Sequence, residues 1–172
     1  AFSYGAPPAG VAEALRLAPS ERAQHSVRVR YIDDTPFSHL TTYVPERIGV
    51  TYSEADLAST PLLTLLERSG VVADKANQTI SATLAGPEIA ELLAVEIGSP
   101  LIAMTRVVLD DEGRGVEYLS ALYRPDLHTF QMEMTRTGIG AERRWSPVSS
   151  VTRATPDLAS GKRRKTTSRR RP

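Results

Sequence analysis

Two arginines on one predicted strand are the residues of this chain best suited to binding a small ligand. Arg28 and Arg30 lie in the segment VRVRYI, in which apolar and charged residues alternate as they do in a strand with one buried face. Residues two positions apart on a strand point to the same side of the sheet, so the two guanidinium groups share a face. Paired guanidinium groups bind phosphate or carboxylate through bidentate hydrogen bonds. The pair therefore predicts an anion-binding pocket, with a solvated strand face as the alternative.

A glutamate and a tyrosine form a second pair with same-face spacing. Glu117 and Tyr123 lie in the segment VEYLSALYR, and their even spacing keeps both side chains on one face of a strand. A carboxylate accepts hydrogen bonds from hydroxyl or amide groups, and a tyrosine stacks on a ligand or donates to it. Together with the arginines, this pair suits a small, polar, anionic ligand. Here too the alternative is a solvated face with cross-strand ion pairs.

Several other chemistries lack the residues they need. The chain has no cysteine, which excludes disulfides, thiol catalysis and thiolate metal sites. Its histidines, His25, His39 and His128, are scattered without ligand spacing, so we expect no metal and no cofactor. Neither a glycine-rich nucleotide loop nor a GxSxG nucleophile elbow is present. The acidic pairs at 33–34 and 110–111 fall in predicted turns, where carboxylates usually cap backbone donors.

A repeat within the chain positions the candidate residues. The segment VAEALRL (residues 11–17) matches IAELLAV (residues 89–95) at a shift of 78, and the same shift places Arg28 on Arg106. A repeat of this length indicates duplicated architecture, in which each copy comprises a helix, a strand, a turn and a strand. The alternative is two ordinary hairpins, each preceded by a helix.

Two hairpins form the centre of the predicted fold, at residues 27–45 and 101–125. After their turns the shift grows to 80, so that Tyr43 meets Tyr123. Further strands are predicted over residues 76–84 and 129–136, the second with Phe130, Met132 and Met134 facing inward. Helices are predicted over residues 9–17, 61–68 and 87–95, with a helical turn after Ser53. These elements make an α+β fold with a mainly antiparallel sheet of five to six strands.

Composition and charge set the limits of the domain. At 172 residues and 41% hydrophobic content, the chain can build one core, and it has no apolar run of the ~18 residues that a membrane span needs. We therefore expect a cytoplasmic protein with no membrane partner. The stretch KRRKTTSRRR (residues 162–171) is strongly basic. Residues 1–138 are predicted to form the domain, and residues 139–172 a largely flexible basic tail. Within the tail, only Trp145 is expected to pack back on the domain. The tail is interpreted as a solvated extension, with weak contact to nucleic acid as the alternative.

Three segments resemble the UTRA domain, the effector-binding half of GntR-type transcriptional regulators of the HutC subfamily. They are RVRYIDDTPF…TTYVP, TPLLTLLERSG and IAELLAVEIGSPLIAMTRVVLDDEGRGVEYLSALYRPDLHTF, and the resemblance spans about residues 8–136. It implies a chorismate lyase-like fold, an antiparallel sheet of about six strands with flanking short helices. It also implies a homodimer and a small-molecule effector, such as a sugar phosphate, an amino acid or a related metabolite. Operator DNA would be bound only through an N-terminal winged helix-turn-helix, which is expected to lie outside this chain together with the first strand of the domain.

The resemblance implies ligand contacts at five positions. These are Arg28, Arg30, Thr60, Glu117 and Tyr123. In members that sense phosphorylated sugars, the arginines hold the phosphate, and a hydroxyl before the leucine-rich helix falls near Ser59 or Thr60. Where several members carry a glutamate before T-x-Y-x-P, this chain has Leu40, so contacts with a sugar would differ.

Two functional classes stay open on the residues alone. The first is a non-catalytic effector-binding and dimerisation domain, which the order of the motifs favours. The second is a chorismate lyase-like enzyme, because such an enzyme also needs arginines for carboxylates and a glutamate in its pocket. A nucleic-acid-binding module that uses the basic tail is a third class, and the acidic balance of the rest of the chain argues against it.

Overall fold

The computed structural model describes residues 1–147, which fall into one unit over Ala1–Thr129 and another that begins at Phe130. The first unit contains six strands and five short helices. The strands are β1 (Phe2–Gly5), β2 (Ala23–Ile32), β3 (Thr35–Pro45), β4 (Ala73–Leu84), β5 (Pro100–Asp110) and β6 (Gly115–Tyr123). The helices are α1 (Ala9–Leu15), α2 (Glu46–Gly49), α3 (Glu54–Ser59), α4 (Leu62–Arg68) and α5 (Pro87–Leu93). The second unit contains a hairpin of β7 (Met134–Thr137) and β8 (Arg144–Pro147), joined through a short 3-10 helix.

All six strands of the first unit form one antiparallel sheet in the order β1-β2-β3-β6-β5-β4. The first three strands and the last three therefore mirror each other across the central pair of β3 and β6. The predicted α+β fold is confirmed, and both predicted hairpins lie in the same sheet. The helical turn predicted after Ser53 is α3, where Ser53 forms a capping box with Asp56.

The strand registers reproduce the repeat residue by residue. Phe2 pairs with Ser26 in the first copy, and Ile80 pairs with Met104 in the second, which is the shift of 78 on both strands. The two copies also end their helices alike, because α1 and α5 are both followed by a left-handed residue, Arg16 at φ 56° and Ala94 at φ 51°. Each helix packs against the other copy, α1 on β5 and β6 and α5 on β3. The two copies therefore share one core.

The predicted shift of 80 between the returning strands of the two hairpins is wrong by one residue. Arg28 pairs with Leu40, and its counterpart Arg106 pairs with Leu119, so the shift in the returning strands is 79 rather than 80. A slip of one residue turns a side chain to the other face of a sheet. Tyr43 accordingly stacks on His25, while Tyr123 is buried on the opposite face.

The first strand of the chain and the strand predicted after residue 128 differ from expectation. The first strand, which was expected to lie outside the chain, is β1 at Phe2–Gly5, and it pairs with β2. It is too short for a periodicity signal. The strand predicted over residues 129–136 is wrong, since β7 begins at Met134 and pairs with β8 in a separate sheet. Alternating apolar and polar residues indicate an extended segment but do not show which strand it pairs with. Met132, which was predicted to face inward, is 67% exposed.

The C-terminal part of the chain also differs from expectation. Trp145, expected to be packed, lies on β8 with 67% of its surface exposed. The β7–β8 hairpin crosses the boundary that the sequence places at residue 138. The basic stretch 162–171 lies outside the described residues, so the tail stays a prediction. Within residues 1–147, the longest helices have seven residues, and none is long and apolar enough to cross a membrane.

Candidate functional site

A cavity of about 700 Å³ lies between one face of the sheet and the connection from α3 to α4. All five predicted ligand contacts line it. They are Arg28, Arg30, Thr60, Glu117 and Tyr123. The strand registers bring them together, because β2 and β6 lie on either side of β3 and present their side chains to the same face.

Arg28 has an unused hydrogen-bond donor at this cavity. Its Nη1 donates to the carbonyl of Leu57 at 3.3 Å, which ties β2 to the end of α3. Its Nε is buried and has no partner among the described residues. Burial lowers the pKa of the guanidinium, the nearby charge of Arg30 lowers it further, and the charge of Glu117 partly offsets both. An anionic ligand in the cavity would relieve the repulsion between the two arginines.

Arg30 lies one step further along β2 on the same face. Its guanidinium carbon is 5.6 Å from the centre of the Phe37 ring, within the range of a cation–π contact. The planar group is thus oriented by an aromatic face at the cavity edge. Arg28 and Arg30 together form the cationic end of the site.

Glu117 is a buried carboxyl at the other end of the cavity, with only 7% of its surface exposed. Burial raises the pKa of this carboxyl, and the charges of Arg106 and Arg28 partly offset the effect. Within residues 1–147, no ion pair closer than 4.0 Å joins Glu117 to either arginine. The carboxyl is therefore available to accept a hydrogen bond from a ligand.

Tyr123 and Thr60 line opposite sides of the cavity. Tyr123 is buried against the ring of His128, whose centre lies 4.3 Å from its own in a stacked arrangement, and burial raises the pKa of the phenol. Thr60 ends α3, and its hydroxyl forms no hydrogen bond with any other residue that the structure describes. The hydroxyl of Ser59 already donates to backbone carbonyls of α3. Of the two hydroxyls predicted near this position, that of Thr60 is the available one.

Arg106 is the site residue that the sequence reasoning missed. It lines the cavity from β5, where its Nε and Nη2 donate to Oε1 of Gln78 at 2.9 and 2.7 Å. The signal was present in the repeat, which already placed Arg28 on Arg106. Because the two copies meet around β3 and β6, equivalent arginines from both copies reach the same cavity.

Two histidines and the turn carboxylate of Asp110 lie outside the cavity. His25 stacks on Tyr43, and His39 is half-buried with its pKa lowered by burial. Asp110 accepts hydrogen bonds from the backbone amides of Glu112 and Arg114, as the turn interpretation predicts. Over residues 1–147, no group of three side chains is arranged to hold a metal ion.

A cavity lined by three arginines, between an antiparallel sheet and short helices, suits a domain that binds a small molecule. The chain belongs to the UTRA domain family, whose model matches residues 2–129. The match covers the whole six-stranded sheet and every residue that lines the cavity except Ala1.

Solved structures and curated proteins similar to this chain are transcriptional regulators. The putative transcriptional regulator from Streptomyces coelicolor is 30% identical, with a TM-score of 0.71 over 76% of this chain and 87% of that one. The ligand-binding domain of a putative GntR-family regulator from Bordetella bronchiseptica is 29% identical, with a TM-score of 0.68 over 73% of this chain and 81% of that one.

The curated relatives are longer proteins. The HTH-type transcriptional regulator Rv0792c of Mycobacterium tuberculosis is 29% identical over 115 residues, which are 63% of this chain and 42% of the relative. The HTH-type transcriptional repressor NagR of Bacillus subtilis is 24% identical over 109 residues, which are 63% of this chain and 45% of the relative. The chain thus spans less than half the length of the curated relatives it matches.

Proposed function

We propose that this chain is the non-catalytic effector-binding domain of a GntR-type transcriptional regulator of the HutC subfamily. Its cavity binds a small anionic metabolite, with Arg28 and Arg30 on the anion and Glu117 and Tyr123 on the rest of the molecule. The observation that carries the proposal is that Arg28 and Arg30, whose like charges repel, line one cavity together with the buried carboxyl of Glu117. The names of the similar proteins support the regulatory role.

Operator binding belongs to a part of the protein outside this chain. The curated relatives are more than twice as long as the matched segment and are named as HTH-type regulators. An N-terminal winged helix-turn-helix would therefore contact DNA, and occupancy of the cavity would change its affinity. Such a regulator acts in the cytoplasm. In this proposal the effector-binding domain is residues 1–138.

The regulator would act as a homodimer, and β4 offers a surface for it. This edge strand has twelve residues, all of them exposed, and it presents Ile80 and Leu84 to solvent. An exposed edge with apolar side chains favours pairing with a second copy. Ile80→Lys should lower the mass measured by analytical ultracentrifugation from dimer to monomer, whereas a dimer that survives this substitution uses another surface.

Ligand binding is tested by thermal scanning of the chain against sugar phosphates, amino acids and urocanate-like acids. At least one anionic compound should raise the melting temperature, and the double variant Arg28→Ala with Arg30→Ala should lose that response. A response that survives in the double variant would contradict the assignment of the site.

The alternative function is a chorismate lyase-like enzyme, since a lyase pocket also needs arginines and a glutamate. Incubation with chorismate and assay of the released pyruvate separates the two functions. A binding domain should release no pyruvate above the spontaneous rate, and turnover abolished by Glu117→Gln would establish the enzyme instead.

A further inference from the structure

The floor of the cavity between its arginines is apolar. Arg28 on β2 lies opposite Leu40 on β3, and Leu40 lies opposite Ala121 on β6. One row further along the sheet, Leu119 on β6 lies opposite Arg106 on β5. Neighbouring strands are ~4.8 Å apart, so the backbones of β2 and β5 are separated by about 14 Å. The space between the cationic walls is wide enough for a six-membered ring that rests on leucine.

The roof of the cavity is largely apolar as well. Five residues around the connection from α3 to α4 contribute hydrocarbon to the lining, beside the hydroxyl groups of Ser59 and Thr60; they are Leu57, Ala58, Pro61, Leu62 and Leu63. Leu40 is 4% exposed and Leu119 is 7% exposed, so both are fixed by packing below the cavity. A ligand in this space would have hydrocarbon both above and below its body.

Two hydroxyl groups at the floor of the cavity are already hydrogen-bonded within the sheet, which leaves them less to offer a ligand. Ser26 and Thr42 are buried side by side, and their hydroxyl groups are hydrogen-bonded to each other. Ser38 is fully buried and does not line the cavity. Between the arginines and Glu117, the floor therefore has little to offer the hydroxyl groups of a sugar. A hydroxyl that is buried without a partner weakens binding, whereas an apolar ring gains affinity from the same contact.

We infer that the ligand of this cavity is an amphipathic organic anion, with a phosphate or carboxylate head and an aromatic or aliphatic body. The head lies at Arg28 and Arg30, and the body lies between Leu40 and Leu119 below and the α3–α4 connection above. A donor group at the far end of the body would meet Glu117. This inference rests on the proposed function and adds the chemical class of the ligand, excluding a polyhydroxylated body.

Two pairs of ligands with matched heads test the inference by isothermal titration calorimetry. Phenyl phosphate is compared with glucose 6-phosphate, phenylacetate is compared with gluconate, and inorganic phosphate measures the head alone. The phenyl member of at least one pair should bind about tenfold or more tightly than its polyhydroxylated partner. Glucose 6-phosphate and gluconate that each bind as well as their phenyl partners overturn the inference and leave the proposed function intact. No binding by any of the five compounds at millimolar concentration overturns the proposed function and the inference with it.

A substitution at Leu40 tests whether the floor of the cavity causes the preference for the phenyl compound. Leu40→Gln places an amide under the body of the ligand and should narrow the preference for the phenyl compound by about fivefold or more. Leu92→Gln, on the exposed side of α5 and outside the cavity, is the matched control and should leave the preference unchanged. A preference that is equal in both variants would overturn the placement of the body on Leu40. Because Leu40 is buried, the comparison of ligand pairs on the unaltered chain decides the ligand class even if this variant fails to fold.

Discussion

Replacing Arg28 by alanine should separate ligand binding from stability. In the ligand-free chain, the guanidinium makes one long hydrogen bond, from Nη1 to the carbonyl of Leu57 at 3.3 Å, and leaves Nε buried and unpaired. It also lies close enough to Arg30 for the second charge to lower its pKa. Removing the side chain therefore loses one weak bond and relieves one repulsion. We expect the free energy of unfolding to change by less than about 1 kcal/mol.

The effect of Arg28→Ala on ligand affinity should be much larger. In the bound state, the guanidinium of Arg28 would donate a charge-assisted hydrogen bond to an anionic oxygen of the ligand. A hydrogen bond to a charged group contributes about 1.5–3 kcal/mol, which corresponds to a roughly tenfold to hundredfold rise in Kd. Arg28→Lys keeps the charge but cannot reproduce the planar pair of donors, so it should also bind more weakly than the unaltered chain.

The assay is titration calorimetry with the tightest anion from the thermal scan, combined with urea denaturation of every variant. Arg22→Ala is the matched control, because Arg22 is half-exposed, lies outside the cavity and pairs with Glu46. It should leave Kd unchanged. An Arg28→Ala chain that binds with unaltered Kd, or one whose Kd rises only in step with lost stability, would refute the reasoning.

Three further predictions concern the scaffold and the buried carboxyl. A Cβ at position 115 would clash with the backbone of Leu15 on α1, so Gly115→Ala should destabilise the fold by about 1–3 kcal/mol in urea denaturation. Gly10 also lies on α1 but has open space around it, so Gly10→Ala should be neutral or stabilising. Equal effects of the two substitutions would contradict the close approach of α1 to β6. Burial raises the pKa of Glu117 in the folded chain, so the folded state holds this proton more tightly, and the free energy of unfolding should fall as pH rises from the unfolded pKa through the raised folded pKa. Glu117→Gln should lack this fall when unfolding is followed across the pH range, and parallel pH profiles would argue against the burial. Ser53→Ala removes the capping box of α3 and should cost about 1 kcal/mol in the same denaturation assay, whereas an unchanged midpoint would show that the cap is not used.

The alternation of side chains along a strand was enough to predict four of the site residues from the sequence. It placed Arg28 with Arg30 and Glu117 with Tyr123 on shared faces, and all four residues line one cavity. The repeat predicted two hairpins in one architecture, and the registers at the sheet edges agree with it to the residue. These features are local or periodic, so spacing along the chain carries them.

Only the tertiary structure shows which side chains of neighbouring strands lie on the same face of the sheet. The second turn is one residue longer than the first, not two, and that single residue determines that Tyr123 and Tyr43 face opposite sides. The entry of Arg106 into the cavity and the position of Leu40 on its floor follow from the pairing of β3 with β6, which no local pattern encodes. The separate hairpin of β7 and β8 was missed for the same reason, whereas the strand at Phe2–Gly5 was missed because four residues are too few for a periodicity signal. Alternation tells which side of a strand is apolar, but the partner of a strand is chosen by the packing of the whole sheet.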